Sequence, residues 1–123
     1  MFHPQRAEQC MATLLERKGW FILCKNFRCV GSEIDLIAHK RKTIIFVEVK
    51  LRRQTPKKGR DLEQLLPSSK KKALRRGAHK FLSMYEEKLP LWENLRFDLA
   101  IISQPSSEKK ASLQYFVDIL AQI

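Results

Sequence analysis

The chain has 123 residues and a formal charge of +11, with 24 Lys and Arg set against 13 Asp and Glu. That length suits one domain with its own core, needing neither disulfides nor a structural metal to fold. An apolar content of 44% excludes a wholly disordered chain, and no apolar run approaches the roughly 18 residues of a bilayer span.

Met1 to Arg6 lack the charged-then-apolar layout of a signal peptide, so a cytoplasmic protein is expected. Pro4 suits a first helical turn. Ala7, Cys10, Met11, Leu14 and Leu15 recur at helical spacing, and Gly19 stops the pattern, so residues 4 to 18 should form an amphipathic helix. Trp20 to Cys24 is short and β-prone, and Val30 to Ser32 reads as a turn. Glu33 to His39 alternates as a strand. Lys40, Arg41 and Lys42 make a polar tip. Thr43 to Lys50 is β-branched, aromatic and nearly uninterrupted, which makes it the strongest strand signal in the chain.

Residues 51 to 67 are basic and punctuated by Pro56, Gly59 and Pro67, as a loop would be. Ser68 or Ser69 can cap a helix running to about Lys88, its apolar face built from Ala73, Leu74, Ala78, Phe81, Leu82 and Tyr85. Pro90 follows. Leu95 to Ile102 is a buried strand, Gln104 to Lys110 a loop, and Leu113 to Leu120 a last strand. The order α-β-β-β-α-β-β implies a mixed central sheet flanked by helices, an α/β sandwich over residues 1 to 123.

The positive charge is clustered. Lys50, Arg52, Arg53, Lys57, Lys58 and Arg60 fill one window, and Lys70, Lys71, Lys72, Arg75, Arg76 and Lys80 another, with no carboxylate in either. A surface serving solubility alone would mix the signs. Segregated charge attracts polyanions, so nucleic acid is the expected partner. The odd set Cys10, Cys24 and Cys29 argues against a disulfide framework, and no zinc spacing accompanies it. His3, His39 and His79 are scattered and read as surface residues.

The two strands before and after the polar tip form a hairpin. If a two-residue turn falls at Arg41 and Lys42, which is poor hairpin-turn chemistry, Lys40 pairs with Thr43, and shifts of two residues would keep the same faces together. Carried along the strands, that register sets Asp35 opposite Glu48 and Glu33 opposite Lys50, with opposed Cβ atoms about 4.5 to 5.5 Å apart. Alternation places Glu33, Asp35 and Ile37 on one face. Opposed carboxylates repel, and a divalent cation removes the objection, because Mg²⁺ favours hard oxygen ligands completed by water and phosphate. A surface ion-pair ladder is the competing reading. The apolar flanks Ile34, Leu36, Ile45, Val47 and Val49 make the strands look central and favour the metal site.

Asp35 followed by Glu48-Val49-Lys50 resembles the PD-(D/E)xK nuclease motif. The wider stretch Gly31 to Ala38 and Phe46 to Arg52 resembles the YraN-like family of bacterial proteins, regarded as restriction-endonuclease-like. The resemblance extends to Ala7-Glu8, Gly19-Trp20, Ile22-Leu23 and Asn26, to Lys70, Leu74, Arg75, Ala78, Phe81 and Leu82, and to Arg96-Phe97-Asp98. Ala7, Pro4 and Ser32 stand where the family usually has glycine. The layout is also similar to archaeal Holliday-junction resolvases, which carry a Glu on the first helix.

The resemblance implies metal-dependent phosphodiester hydrolysis. Asp35, Glu48 and the Val49 carbonyl would hold Mg²⁺ or Mn²⁺, with Glu8 as a third acidic ligand. Lys50 would orient the attacking water or steady the phosphate. Arg52, Arg53, Lys70, Arg75 and Arg76 would hold the phosphate backbone without reading sequence. DNA is expected ahead of RNA, no membrane is expected, and a homodimer is left open. The alternative is a basic nucleic-acid-binding module without catalysis.

Overall fold

The computed structural model describes residues 3–53, 66–104 and 110–120. Helix α1 spans Pro4–Arg17, and its N-terminal Gln5 N–H donates to the His3 Nδ1 at 3.3 Å. Ala7, Met11, Ala12 and Leu15 form its buried stripe. Gly19 closes the helix at φ 94°, its N–H bonding to Glu16 O while the Trp20 N–H reaches back to Leu15 O, both at 3.0 Å. This paired closure needs a left-handed residue, which glycine supplies without a Cβ clash.

Five strands follow in the spatial order β1-β2-β3-β4-β5: Phe21–Cys29, Ser32–Lys40, Thr43–Arg52, Asn94–Ser103 and Ser112–Phe116. Strands β3 and β4 are parallel, joined through helix α2 at Ser68–Tyr85, and the other neighbours are antiparallel. The element order and the mixed sheet agree with the expectation. Among the described residues no helix is long and apolar enough to cross a membrane.

Each helix covers one face of the sheet. Phe27, Ile34, Ile37, Ile44 and Phe46 pack with Leu74, Ala78 and Phe81 of α2. Phe81 sits edge-on to Phe27 and Phe46, and Phe46 stacks on Phe97. On the other face Leu36, Ala38, Ile45, Val47 and Ala100 meet Met11, Ala12 and Leu15 of α1. Burial on both faces explains the near-continuous apolar character of β2 and β3.

Strict alternation fails in β1 between Ile22 and Cys24, where the register with β2 shifts, and again in β2. Ile34 and Ile37 face α2, yet Leu36 between them faces α1. The step falls at Asp35. Across from it, Lys25 pairs with Leu36 and Phe27 with Ile34, while Asn26 between them adopts φ 53°. Asparagine tolerates the left-handed region better than most residues. Both strands thus exchange faces together, and Asp35 does not share a face with Ile37 in the simple way that alternation implies.

The element ends differ most at β1, α2, β3 and β5. Strand β1 runs to Cys29 because Lys25 and Asn26 are exposed without ending the ladder. Helix α2 starts after Pro67 with no side-chain cap and ends at Tyr85, where Lys88 and Leu89 N–H both turn back to Tyr85 O. Strand β3 extends through Leu51 and Arg52, and the remainder of the expected loop, residues 54–65, lies outside the described residues. Strand β5 stops at Phe116. Asp118 turns the chain at φ 59°, and Ile119 N–H bonds to Phe97 O at 2.7 Å. Residues 105–109 of the other expected loop also lie outside the described residues.

Helix α2 approaches β2 closely through Gly77. A Cβ there would collide with Ser32 Oγ and stand 3.0 Å from Ile34 Cδ1. The serine cannot swing away freely, because its hydroxyl donates to Ala73 O at 2.6 Å. A mid-helix glycine costs about 1 kcal/mol against alanine, so close packing explains its presence. Gly77→Ala should lower stability by about 1 to 3 kcal/mol, as overpacked cores do, measured by urea unfolding. Adding Ser32→Ala should recover part of the loss, and an additive double mutant would show that the two side chains do not compete for this space.

Candidate active site

The β2-β3 ladder runs from Lys40–Thr43 to Leu36–Val47 in the register expected from the sequence. Arg41, the first turn residue, takes φ 56°. Beyond Leu36 the strands no longer pair residue against residue. Asp35 Oδ2 instead accepts the Val49 N–H at 2.7 Å. The carboxylate therefore occupies the hydrogen-bonding position that a β2 carbonyl would otherwise fill. Glu33 does not meet Lys50 as the register suggested. Its ladder partner is Arg28 on β1, whose Nε lies 3.4 Å from Glu33 Oε1.

Asp35 and Glu48 are buried, at 8% and 4% exposure. Lys50 lies two residues beyond Glu48 on the same strand, and its Nζ is 3.0 Å from Glu48 Oε1. Lys70, in the first turn of α2, brings its Nζ to 3.4 Å from the same oxygen. The other oxygen, Glu48 Oε2, is buried without a hydrogen-bond partner. Burial pushes the Asp35 carboxyl up to about 7. The neighbouring charge of Glu48 adds to the shift, the Val49 N–H opposes it, and Glu8 on α1 raises it further through its charge and a hydrogen bond. Asp35 thus has Glu48 of β3 on one side and Glu8 of α1 on another, and it is the residue that the two share.

This donor set suits a hard divalent cation. It offers carboxylate oxygens, one of them without a partner, in a cluster whose charges repel. Among the described residues no group of three or more Asp, Glu, His or Cys side chains is arranged to hold a metal ion. A cation would rest chiefly on Asp35 and Glu48 and leave positions for water and phosphate.

Asp35 and Glu48 themselves lie buried behind Lys50 and Lys70, which hold Glu48 and also line a cleft of about 740 Å³ together with Arg28, Ser32, Glu33 and Arg52. None of its described lining residues is aromatic. Arg52 and Arg53 are exposed at the end of β3, with Arg52 Nη1 donating to Leu51 O at 2.9 Å. Arg75 is half-buried on α2. Arg76 braces the β1-β2 turn through a 3.1 Å bond to Gly31 O. Lys70, expected among the residues along the phosphate backbone, stands at the carboxylates themselves.

Two features escaped the sequence reading. Arg28 lines the cleft from β1, in the stretch between Cys24 and Val30 to which the sequence assigned no element. Asp98, 1% exposed, gathers Arg96, the Tyr115 hydroxyl at 2.5 Å and the Asp118 N–H at 2.8 Å. Burial, and then the bond to Asp98, push the Tyr115 phenol well above its ordinary value. This knot ties β5 and the chain after it to β4, and its signal is the Arg-x-Asp spacing that puts both residues on one strand face.

Comparison with known proteins matches residues 7–102 to a family described as "Uncharacterised protein family UPF0102". A UPF0102 protein of Synechococcus sp. (strain JA-3-3Ab) is 36% identical over 110 residues, covering 88% of this chain and 80% of that protein. One from Chlorobium phaeobacteroides (strain BS1) is 39% identical over 98 residues, covering 80% and 74%. One from Prosthecochloris aestuarii (strain DSM 271 / SK 413) is 36% identical over 115 residues, covering 93% and 86%. The matched span includes Glu8, the Asp35–Glu48–Lys50 hairpin and Lys70, so the chain belongs to the UPF0102 family, the YraN-like family that its hairpin resembles.

Proposed function

We propose that this protein is a divalent-metal-dependent nuclease that hydrolyses phosphodiester bonds, with DNA favoured over RNA. The observation that carries the reading is the buried pair Asp35 and Glu48, with one partnerless oxygen, linked through Lys50 and Lys70 to a cleft that Arg28 and Arg52 also line. A structural ion pair would satisfy its buried oxygens. This one leaves an acceptor unmet and a carboxyl pushed upward, as a site awaiting a cation would.

Hydrolysis adds water across one P–O bond, so the attacking water must lose a proton and the departing oxygen must gain one. Mg²⁺ or Mn²⁺, when bound, would acidify that water and offset charge on the phosphate. Asp35, Glu48 and the Val49 carbonyl would hold the ion, with Glu8 beside them. Val49 N–H fixes the Asp35 carboxylate in place. Lys50, held by Glu48, supplies a fixed positive charge where the phosphate enters. Arg28 and Arg52 extend that charge along the cleft. Among the described residues, the charged side chains Lys50, Arg52, Lys70 and Arg28 that line the cleft suit contact with the phosphate backbone.

The test is a cleavage panel of single-stranded, duplex and branched DNA and of RNA, run with Mg²⁺, Mn²⁺ and chelator. Products should form only with a divalent ion. The net charge of +11 alone also supports a binding module without catalysis. That reading is preferred if nucleic acid binds while no ion binds and nothing is cut.

Phosphate contacts have their own signature. Arg52→Ala and Arg75→Ala should each reduce the slope of log affinity against log salt, by about 0.9 on duplex DNA or about 0.7 on single strands. Filter binding over a salt series checks this, and an unchanged slope places the residue off the backbone path. Arg76 is a poorer choice for this test, since its loss also releases the Gly31 turn.

A further inference from the structure

Two ammonium groups share one oxygen of Glu48, Lys50 at 3.0 Å and Lys70 at 3.4 Å. Lys50 arrives by strand periodicity. Lys70 arrives from another element, carried there by the packing of α2 on β2 through Gly77, Ser32 and Ile34. Both lysines are largely sheltered, with side chains 22% and 33% exposed, and both line the cleft.

The charge balance gives the second lysine a purpose. With Glu8, Asp35 and Glu48 ionised, two lysines leave the cluster one charge negative. A divalent cation would make it one charge positive, matched to a single phosphodiester anion. Without Lys70 the loaded cluster would be neutral, and the pull on the phosphate would fall to Arg28 and Arg52 further along the cleft.

We propose that Lys70 is a second catalytic lysine, whose ammonium contacts the scissile phosphate and is held ready for it by Glu48. The inference rests on the nuclease reading above and separates Lys70 from residues that only hold the flanking backbone.

The test compares the full-length parent with Lys70→Ala, Lys70→Arg and Lys42→Ala. Lys42 is an exposed control at the hairpin turn, paired with Glu93. Calorimetry with Mn²⁺ alone should show Lys70→Ala binding the ion about 3- to 10-fold more tightly, because a competing cation beside Glu48 is gone. Single-turnover cleavage at saturating DNA with Mn²⁺ should slow by about 10-fold or more, as expected when a contact made to the reacting phosphate is lost. Lys70→Arg should retain most of the rate, and Lys42→Ala should match the parent in both measurements.

An unchanged rate at saturation, with only a shallower salt slope, would overturn the proposal and return Lys70 to the backbone contacts. So would a lowered melting temperature with unchanged Mn²⁺ affinity and unchanged rate, which is the mark of a structural ion pair. A parent that binds Mn²⁺ but cuts nothing would overturn the nuclease reading instead. The calorimetric arm would then judge Lys70: tighter binding in Lys70→Ala supports its coupling to the site, and unchanged binding refutes it.

Discussion

Asp35→Asn and Glu48→Gln should each reduce metal-dependent cleavage by on the order of 10²- to 10³-fold, the scale on which single electrostatic groups act in active sites. These replacements are chosen over alanine for a structural reason. The amide oxygen at position 35 can still accept the Val49 N–H, which is bonded at 2.7 Å in the parent. Position 48 keeps an acceptor for Lys50 and Lys70. The charge goes while the shape stays, so lost activity in a variant that keeps the parent's circular dichroism and cooperative melting assigns the loss to the site. Glu48→Gln turns an amide group toward the place of the partnerless oxygen and should weaken Mn²⁺ binding as well. A folded double variant that cuts as fast as the parent would remove both residues from the chemistry.

Without metal, the protein should become less stable as pH rises from 5 to 8. The Asp35 carboxyl moves from an ordinary value of 3.8 to about 7 in the folded chain, through burial first and then through Glu48 and Glu8. Between those values the folded state holds a proton that the unfolded state has released. Stability therefore falls as pH climbs through this interval and is fully present only below it. The part of the shift that falls between pH 5 and pH 8 corresponds to roughly 2 to 3 kcal/mol at most.

Urea midpoints at pH 5 and pH 8 measure the effect, and Asp35→Asn separates it from other carboxylates, because that variant should lose this part of the slope. Saturating Mn²⁺ should reverse the trend at pH 8, adding about 2.7 kcal/mol when the ion is at 100 times its dissociation constant. A parent and an Asp35→Asn variant with parallel pH profiles would show that Asp35 keeps an ordinary carboxyl in the fold.

The sequence by itself determined the order of the elements, the hairpin turn and the register of its paired part. The reason is local: turn residues and β-branched runs act over a few positions, and Arg41-Lys42 places the pairing of Lys40 with Thr43. The charged residues of the hairpin were legible for the same reason, since carboxylates amid apolar strand residues need an explanation.

Tertiary structure alone decided how those residues meet. Asp35 and Glu48 are not simply opposed, because β1 and β2 exchange faces together at Asn26 and Asp35, a change that period-two reasoning cannot register. Glu8 reaches Asp35 only because Ala7, Met11 and Leu15 bury α1 against the sheet. Lys70 reaches Glu48 only because Gly77 lets α2 settle on Ser32 and Ile34. Periodicity orders side chains along one element. Distances between elements are set by the side chains packed between them, and this site is assembled across three such contacts.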